Sequence, residues 1–279
     1  MAYREKVTIV RADEIATDIY EMCFSTKNIA KEAKPGQFVS VYSNDGSRLL
    51  PRPISICGIE GDTLRIVYRA IGKGTQEFAT MHAGQTLEVQ GPLGNGYDIS
   101  KVSKERKAIL FGGGIGIPPM LELAKQLDCE KSIVLGYRDE LFLNDEFEAY
   151  GKVYLATEDG SAGTKGNVLD AIRENKLTAD VIYACGPTPM LKALKAYAAE
   201  NGIECWISLE EKMACGIGAC LGCVCHSKDV DEHSNVKNKR VCKDGPVFLA
   251  DEVELLSSEE QRERIAGGCM CGTVKVKED

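Results

Sequence analysis

Phe111-Gly-Gly-Gly-Ile-Gly-Ile-Pro-Pro-Met120 is the stretch on which the reading of this chain turns. The apolar residues 108–111 predict a buried strand, and the prolines after the last glycine suit the first turn of a helix. Glycines at a strand-to-helix junction let the backbone approach a pyrophosphate at the helix N-terminus. Gly112, Gly113, Gly114 and Gly116 are therefore candidate nucleotide-binding positions. The run lacks the strict Gly-x-Gly-x-x-Gly spacing, so a plain turn is the competing reading, and the strand-before, helix-after context decides.

Outward from that stretch, residues 132–137, 153–156, 181–184 and 203–207 also predict buried strands. Helical periods lie between them, most clearly at 189–199, where Leu191, Leu194, Tyr197 and Ala198 share a face and Thr188 suits the N-cap. Strands alternating with helices imply a doubly wound, mostly parallel sheet over residues 103–207. Cys185-Gly186-Pro187 ends another of these strands, and ligands bind outside the carboxyl ends of such strands. The two glycine loops together predict a crevice for a nicotinamide nucleotide. Seen alone, Cys185 is a small buried residue. In Gly136-Tyr-Arg-Asp-Glu140, Asp139 and Glu140 would repel a 2′-phosphate and Arg138 would attract one.

Residues 1–102 have a different period. Short apolar or alternating runs at 6–11, 19–25, 38–43, 54–58, 64–69 and 86–90 are separated by turn residues, which predicts an antiparallel β-barrel. One short helix is expected near 75–81. Arg52-Pro53-Ile54-Ser55 begins one strand. Arg69-Ala70-Ile71-Gly-Lys-Gly74-Thr75 leads into the helix. An arginine and a hydroxyl flanking a proline can meet a phosphate and a flavin edge, and a helix N-terminus suits an anion.

Residues 208–279 hold Met213-Ala-Cys-Gly-Ile-Gly-Ala-Cys-Leu-Gly-Cys-Val-Cys225. Cys215, Cys220 and Cys223 have the Cys-x4-Cys-x2-Cys spacing of a plant-type 2Fe–2S centre. Zinc favours paired short knuckles, and only one short pair is present. A Rieske centre needs two histidines, and none of His82, His226 and His233 lies in a Cys-x-His pair. Cys225, Cys242, Cys269 and Cys271 compete to be the fourth ligand. Cys225 is one strand repeat, roughly 6–7 Å, beyond Cys223. Cys242 precedes the turn Lys243-Asp-Gly-Pro246, which can reverse the chain toward the loop, and is preferred. This unit has few apolar residues of its own, so the cluster and its neighbours should hold it together.

The chain of 279 residues carries a net charge of −8, which argues against nucleic-acid binding. No apolar run approaches a membrane span, and the first residues lack a signal peptide's apolar stretch. Twelve cysteines without such a signal suggest reduced thiols and metal ligands in a cytoplasmic protein.

Together the three parts resemble the ferredoxin–NADP reductase superfamily with a C-terminal 2Fe–2S domain. Within it, residues 208–225 and 241–248 look like the electron-transfer subunit family of class 1B dihydroorotate dehydrogenase. That resemblance implies FAD on the barrel, with Arg52, Pro53, Ile54 and Ser55 matching an Arg-Pro-x-Ser motif. Arg69, Ala70 and Ile71 match the next flavin-contacting stretch, and Gly74 and Thr75 the pyrophosphate loop. Many superfamily members have tyrosine where this chain has Ile54, so ring stacking there is not expected. The resemblance gives the cluster to Cys215, Cys220, Cys223 and Cys242. It implies a relay from NADH through FAD to the cluster, with Ser55 and Cys185 near the hydride step. It also implies a heterotetramer with an FMN-bearing catalytic subunit that turns dihydroorotate into orotate in pyrimidine biosynthesis, NAD being reduced. A reductase subunit of another NAD(P)H:ferredoxin or sulfur-reducing complex, and a cluster-bearing redox sensor without catalysis, are the alternatives. The segment from about Val253 onward, including Gly267-Gly-Cys-Met-Cys-Gly272, looks longer than the family's usual end.

Overall fold

A computed structural model describes residues 2–230 and 235–256. The expected extension around Cys269 and Cys271 lies outside the described residues.

Six strands form the barrel: β1 (Tyr3–Ala16), β2 (Ile19–Ser25), β3 (Phe38–Tyr42), β4 (Arg52–Glu60), β5 (Thr63–Arg69) and β6 (Thr86–Leu93). Their order is β1-β2-β5-β4-β3-β6, and β6 pairs back onto β1 to close it. Closure follows from alternation, because side chains two apart share a face. Val7 and Ile9, Met22 and Phe24, Val39 and Val41, Leu64 and Ile66, and Leu87 and Val89 all enter one buried cluster. Two short helices decorate the barrel, α1 (Ile29–Glu32) and α2 (Lys73–Phe78). The latter begins two residues before the expected position. The reason is local: Thr75 Oγ1 accepts from Gly72 N–H at 3.1 Å, so Gly72 takes the cap and Thr75 sits inside the first turn.

The second sheet contains β7 (Lys107–Gly113), β8 (Glu130–Tyr137), β9 (Lys152–Thr157), β10 (Thr164–Lys165), β11 (Val181–Cys185) and β12 (Glu204–Ser208). Helices α3 (Ile117–Gln126), α4 (Asn144–Phe147), α5 (Val168–Asn175) and α6 (Thr188–Asn201) connect them. The expected N-cap, Thr188, is instead the first helical residue, with Pro187 before it; helix ends vary by this one residue. The strands run parallel in the order β10-β9-β8-β7-β11-β12, so the winding direction reverses between β7 and β11.

The cysteine-bearing segment adds β13 (Val224–Ser227), β14 (Asn238–Arg240), β15 (Val247–Leu249) and β16 (Val253–Glu254). It is less separate than the sequence suggests. β15 pairs antiparallel with β12 and becomes the seventh strand of the nucleotide-type sheet. Cys223, Cys225, Val241, Cys242, Phe248 and Val253 share one buried core with Phe111, Ile182, Leu194 and Ile207. Borrowed packing thus offsets this segment's small apolar content. Truncating Phe248 to alanine should lower the unfolding free energy by about 3–5 kcal/mol, read from urea titration by circular dichroism. A loss below about 1 kcal/mol would mean that β15 does not anchor this segment.

Candidate functional site

The reversal between β7 and β11 creates a cleft at the carboxyl ends of the parallel strands. Gly112 and Cys185 are register partners there, so the two loops predicted from sequence leave the sheet side by side. They interlock closely: a side-chain carbon on Gly116 would stand 2.3 Å from the Cys185 carbonyl oxygen, and only glycine fits. The cleft holds ≈ 690 Å³, bounded by Gly113, Gly114, Gly186 and Pro187 on one side and by Arg69 and the β1–β2 turn on the other. Arg138, Asp139 and Glu140 line it as expected, and Glu140 Oε2 accepts from Thr17 N–H at 3.0 Å across it.

Cys185 itself is 2% exposed. Burial, then the Glu210 carboxylate, push its thiol up to about 12, against the Ser208 hydroxyl that donates to it. It is a neutral, uncharged neighbour of the cleft and not a thiolate. Glu210, Glu158 and Met190 also line the cleft. Met190 closes the Cys185–Met190 stretch that the sequence places at this strand end, whereas Glu158 and Glu210 sit in loops with no period and were not legible in the sequence.

At the barrel's edge the Arg52–Ser55 motif divides. Arg52, Pro53 and Ser55 are half-buried, whereas Ile54 turns into the barrel core. Alternation along β4 sets Ile54 on the face opposite Pro53 and Ser55, and Ile54 is a packing residue that supports its neighbours. The Arg52 guanidinium lies directly over Gly74, where a side-chain carbon would stand 2.5 Å from Nε. Its Nη1 donates to the Leu50 carbonyl. Among the described residues neither Arg52 nor Arg69 has a carboxylate partner, although Arg48 beside them pairs with Glu77. Two uncompensated cations beside α2 and its cap suit an anionic ligand. Ala70 N–H donates to the Asp18 carbonyl, and Ile71 is 75% exposed.

The cysteines gather in two pairs. Cys220 N–H donates to Cys215 Sγ at 3.4 Å, and Cys242 N–H donates to Cys223 Sγ at 3.4 Å. Gly218 N–H reaches Cys242 Sγ at 3.1 Å, and Gly222 N–H reaches Cys220 Sγ at 3.4 Å. Burial opposes ionisation of Cys215, but the N–H groups of Ile217, Cys220 and Ala219 bring its thiol down to about 6. Burial and the neighbouring Cys223 push Cys242 up to about 12. Thiolates so close to one another need a compensating cation. Among the described residues, no three His, Cys, Asp or Glu side chains converge so as to hold a single metal ion. Two thiol pairs with sulfur-directed N–H groups suit a centre of two irons, each pair holding one. Cys225 stands apart on β13, buried in the shared core, and burial pushes it up to about 12.

The cluster loop also touches the barrel. A side-chain carbon on Gly216 would stand 3.0 Å from Ser40 Oγ, and Ser40 on β3 is the register partner of Pro53 on β4. The loop therefore rests on the strand next to the Arg52–Ser55 motif.

Comparison with known proteins agrees with this arrangement. Residues 210–254 match the model of the iron-sulfur cluster binding domain of dihydroorotate dehydrogenase B. The dihydroorotate dehydrogenase B (NAD(+)) electron transfer subunit of Fusobacterium nucleatum is 47% identical over 264 residues, covering 90% of this chain and 98% of the relative. The chain belongs to the family of dihydroorotate dehydrogenase B electron transfer subunits. The subunit from a Geobacillus species is 44% identical over 263 residues, covering 91% of this chain and all of the relative. Among solved structures, that of an NADH-dependent reduced ferredoxin-NADP oxidoreductase, described for flavin-based electron bifurcation, has a TM-score of 0.80 and 30% identity. It covers 94% of this chain and 93% of its own. A ferredoxin NADP+ reductase from Neisseria gonorrhoeae with bound FAD and NADP has a TM-score of 0.60 at 18% identity, covering 71% of this chain and 92% of its own, and shares the fold.

In metal-free protein at pH 7, iodoacetamide should alkylate Cys215 at least about 100-fold faster than Cys185 or Cys225, followed by peptide mass spectrometry. Similar rates at all three would mean that the loop does not hold Cys215 as a thiolate.

Proposed function

We propose that this chain carries electrons between NAD(H), FAD and a 2Fe–2S cluster, and onward to or from a separate FMN-bearing subunit that interconverts dihydroorotate and orotate. The observation that carries the reading is the seat of the cluster loop on Ser40, one strand from Pro53 and Ser55. Adjacent strands lie about 4.8 Å apart, so the flavin-type motif and the cluster loop are neighbours within one polypeptide. When bound, FAD supplies the adaptor between the two-electron chemistry of nicotinamide and the one-electron chemistry of the cluster.

The chain's own residues would divide the work. Gly112, Gly113, Gly114 and Gly116, with Gly186 and Pro187, accept the nucleotide over the two interlocked loops. Asp139, Glu140 and Glu158 in the cleft disfavour a 2′-phosphate and select NADH. Arg52 and Arg69, with Gly74 and Thr75, take the flavin's phosphates, while Pro53, Ala70 and Ile71 border it. Ser55 offers a hydroxyl to the flavin edge, and neutral Cys185 borders the nicotinamide contact. Cys215 and Cys220 would hold one iron, Cys223 and Cys242 the other. Ile217 and Leu221, both exposed on that loop, would face the catalytic subunit in a heterotetramer of two of each chain. The flux implied is from dihydroorotate to NAD, the relay running toward the nucleotide.

Anaerobically purified chain should contain FAD, iron and labile sulfide in a ratio of about 1:2:2, with flavin and cluster absorbance bleached by NADH. A colourless, zinc-bearing preparation would end this reading. The likeness to the ferredoxin-NADP oxidoreductase over 94% of the chain favours one second reading, a subunit of another NAD(P)H:ferredoxin complex. Co-purification with an FMN protein active on dihydroorotate separates the two. Ser55→Ala should slow reduction of the flavin by NADH by about tenfold or more, with iron content unchanged. Unaltered stopped-flow traces would remove Ser55 from the site.

A further inference from the structure

β4 carries the Arg52–Ser55 motif at its start and α3 follows the Gly112–Gly116 loop, so the two proposed cofactor sites hang on two elements from different layers. Besides packing, what joins one element to the other is a buried carboxylate and the lysine beside it. Register pairing of β3 with β4 ends at Ser55, and Ile56 N–H makes one more bond on that side, to the Gln37 carbonyl. Ile59 there has both backbone groups taken by α3. Glu122 Oε2 accepts from Ile59 N–H at 2.9 Å, and Lys125 Nζ donates to the Ile59 carbonyl at 3.1 Å. Glu122 is 1% exposed, its other oxygen accepts from the Gln126 amide, and the other buried residues of α3 are apolar. The Lys125 ammonium, 3.9 Å from Glu122 Oε2, and the two donors offset the cost of burying this carboxylate, so the group is held by its partners in one position. Alongside, Arg65 of β5 pairs with Glu146 of α4 at 2.6 Å and with Glu21 of β2, closing the seam between the layers.

We propose that Glu122 is a positioning residue that sets the distance between the flavin and nicotinamide sites, an inference that rests on the functional reading above. Ile59 follows Ser55 along β4 across the register shift between Ile56 and Gly58, and Glu122 lies about 9 Å from Gly116 along a helix. The Glu122–Ile59 hydrogen bond is the joint of this short frame, and it holds the strand just past its irregularity. With both groups bound, a hydride would leave the nicotinamide with both electrons of its C–H bond and form a new bond on the flavin, NADH being oxidised and FAD reduced. Such a step is sensitive to the separation of the reacting atoms, and a 1 Å misplacement lowers rates by about 100-fold.

The test compares Glu122→Leu, Glu122→Gln and Lys125→Met in the full chain. Glu122→Leu should reduce the rate constant for flavin reduction at saturating NADH by about tenfold or more, with flavin and iron content and the dissociation constant for NADH unchanged. Without any NADH, hydrogen–deuterium exchange of residues 56–60 should accelerate in the same variant. Glu122→Gln, whose amide oxygen still accepts from Ile59, should restore both readouts. Lys125→Met, at a half-exposed position, should slow reduction less. Faster exchange with an unchanged rate would overturn the proposal, and so would a rate loss that only tracks lost flavin. If Glu122→Leu does not fold, an unchanged rate in Lys125→Met overturns it. A parent chain that holds no flavin would sink the functional reading instead, and the exchange readout would still report the joint.

Discussion

Four sulfurs from two distant parts of the chain have to meet, and the rest of the molecule is arranged around that meeting. Cys215, Cys220 and Cys223 come from one loop, but Cys242 arrives after two intervening strands. Its N–H donates to Cys223 Sγ, and the chain then turns through Arg240–Gly245. That turn is held in place because the next residues become β15 and pair with β12. Asn95, from the end of the barrel, donates to the carbonyls of Lys243 and Asp244 and fastens the turn from the other side. Thiol pairing, sheet extension and barrel contact thus depend on one another. Thiols pressed together by packing alone would repel once ionised, and a metal centre supplies the opposing charge.

A second constraint orders the sites in a line. The nucleotide cleft lies where the winding of the parallel sheet reverses, and Arg69 of the barrel forms one of its walls. The Arg52–Ser55 strand lies in the same barrel, and the cluster loop covers the strand beside it. Each of these contacts is made by elements of the barrel, so strand spacing and close packing, together with buried contacts such as that of Glu122 with Ile59, hold the parts in register.

The architecture was largely legible because each layer has its own period. Alternation every second residue marked the barrel strands, and β2 falls on the expected 19–25. Buried runs separated by helical faces marked the parallel strands, and glycine loops at their ends marked the cleft. The cysteine spacing, a matter of covalent reach, marked three thiols, Cys215, Cys220 and Cys223, whereas Cys242 was preferred only from the turn that follows it, and the fold sets its N–H against Cys223 Sγ. What escaped had no period. β15 is three residues long, and β10 and β16 are two each. Strands that short take their identity from the neighbour they pair with. Glu210 and Glu158 enter the cleft from loops, and Glu122 resembles any acidic residue on a helix until Ile59 is seen opposite. Ile54 shows the reverse limit, since a motif groups four consecutive residues whereas a strand sends alternate ones to opposite faces.

The antiparallel pairing of β15 with β12 also has a consequence for biosynthesis. Until β15 has been made, β12 is a bare edge with unpaired backbone groups, open to association with another chain. Covering that edge and bringing Cys242 to the loop fall to one short stretch, so a centre that draws on Cys242 would form only once the edge is closed.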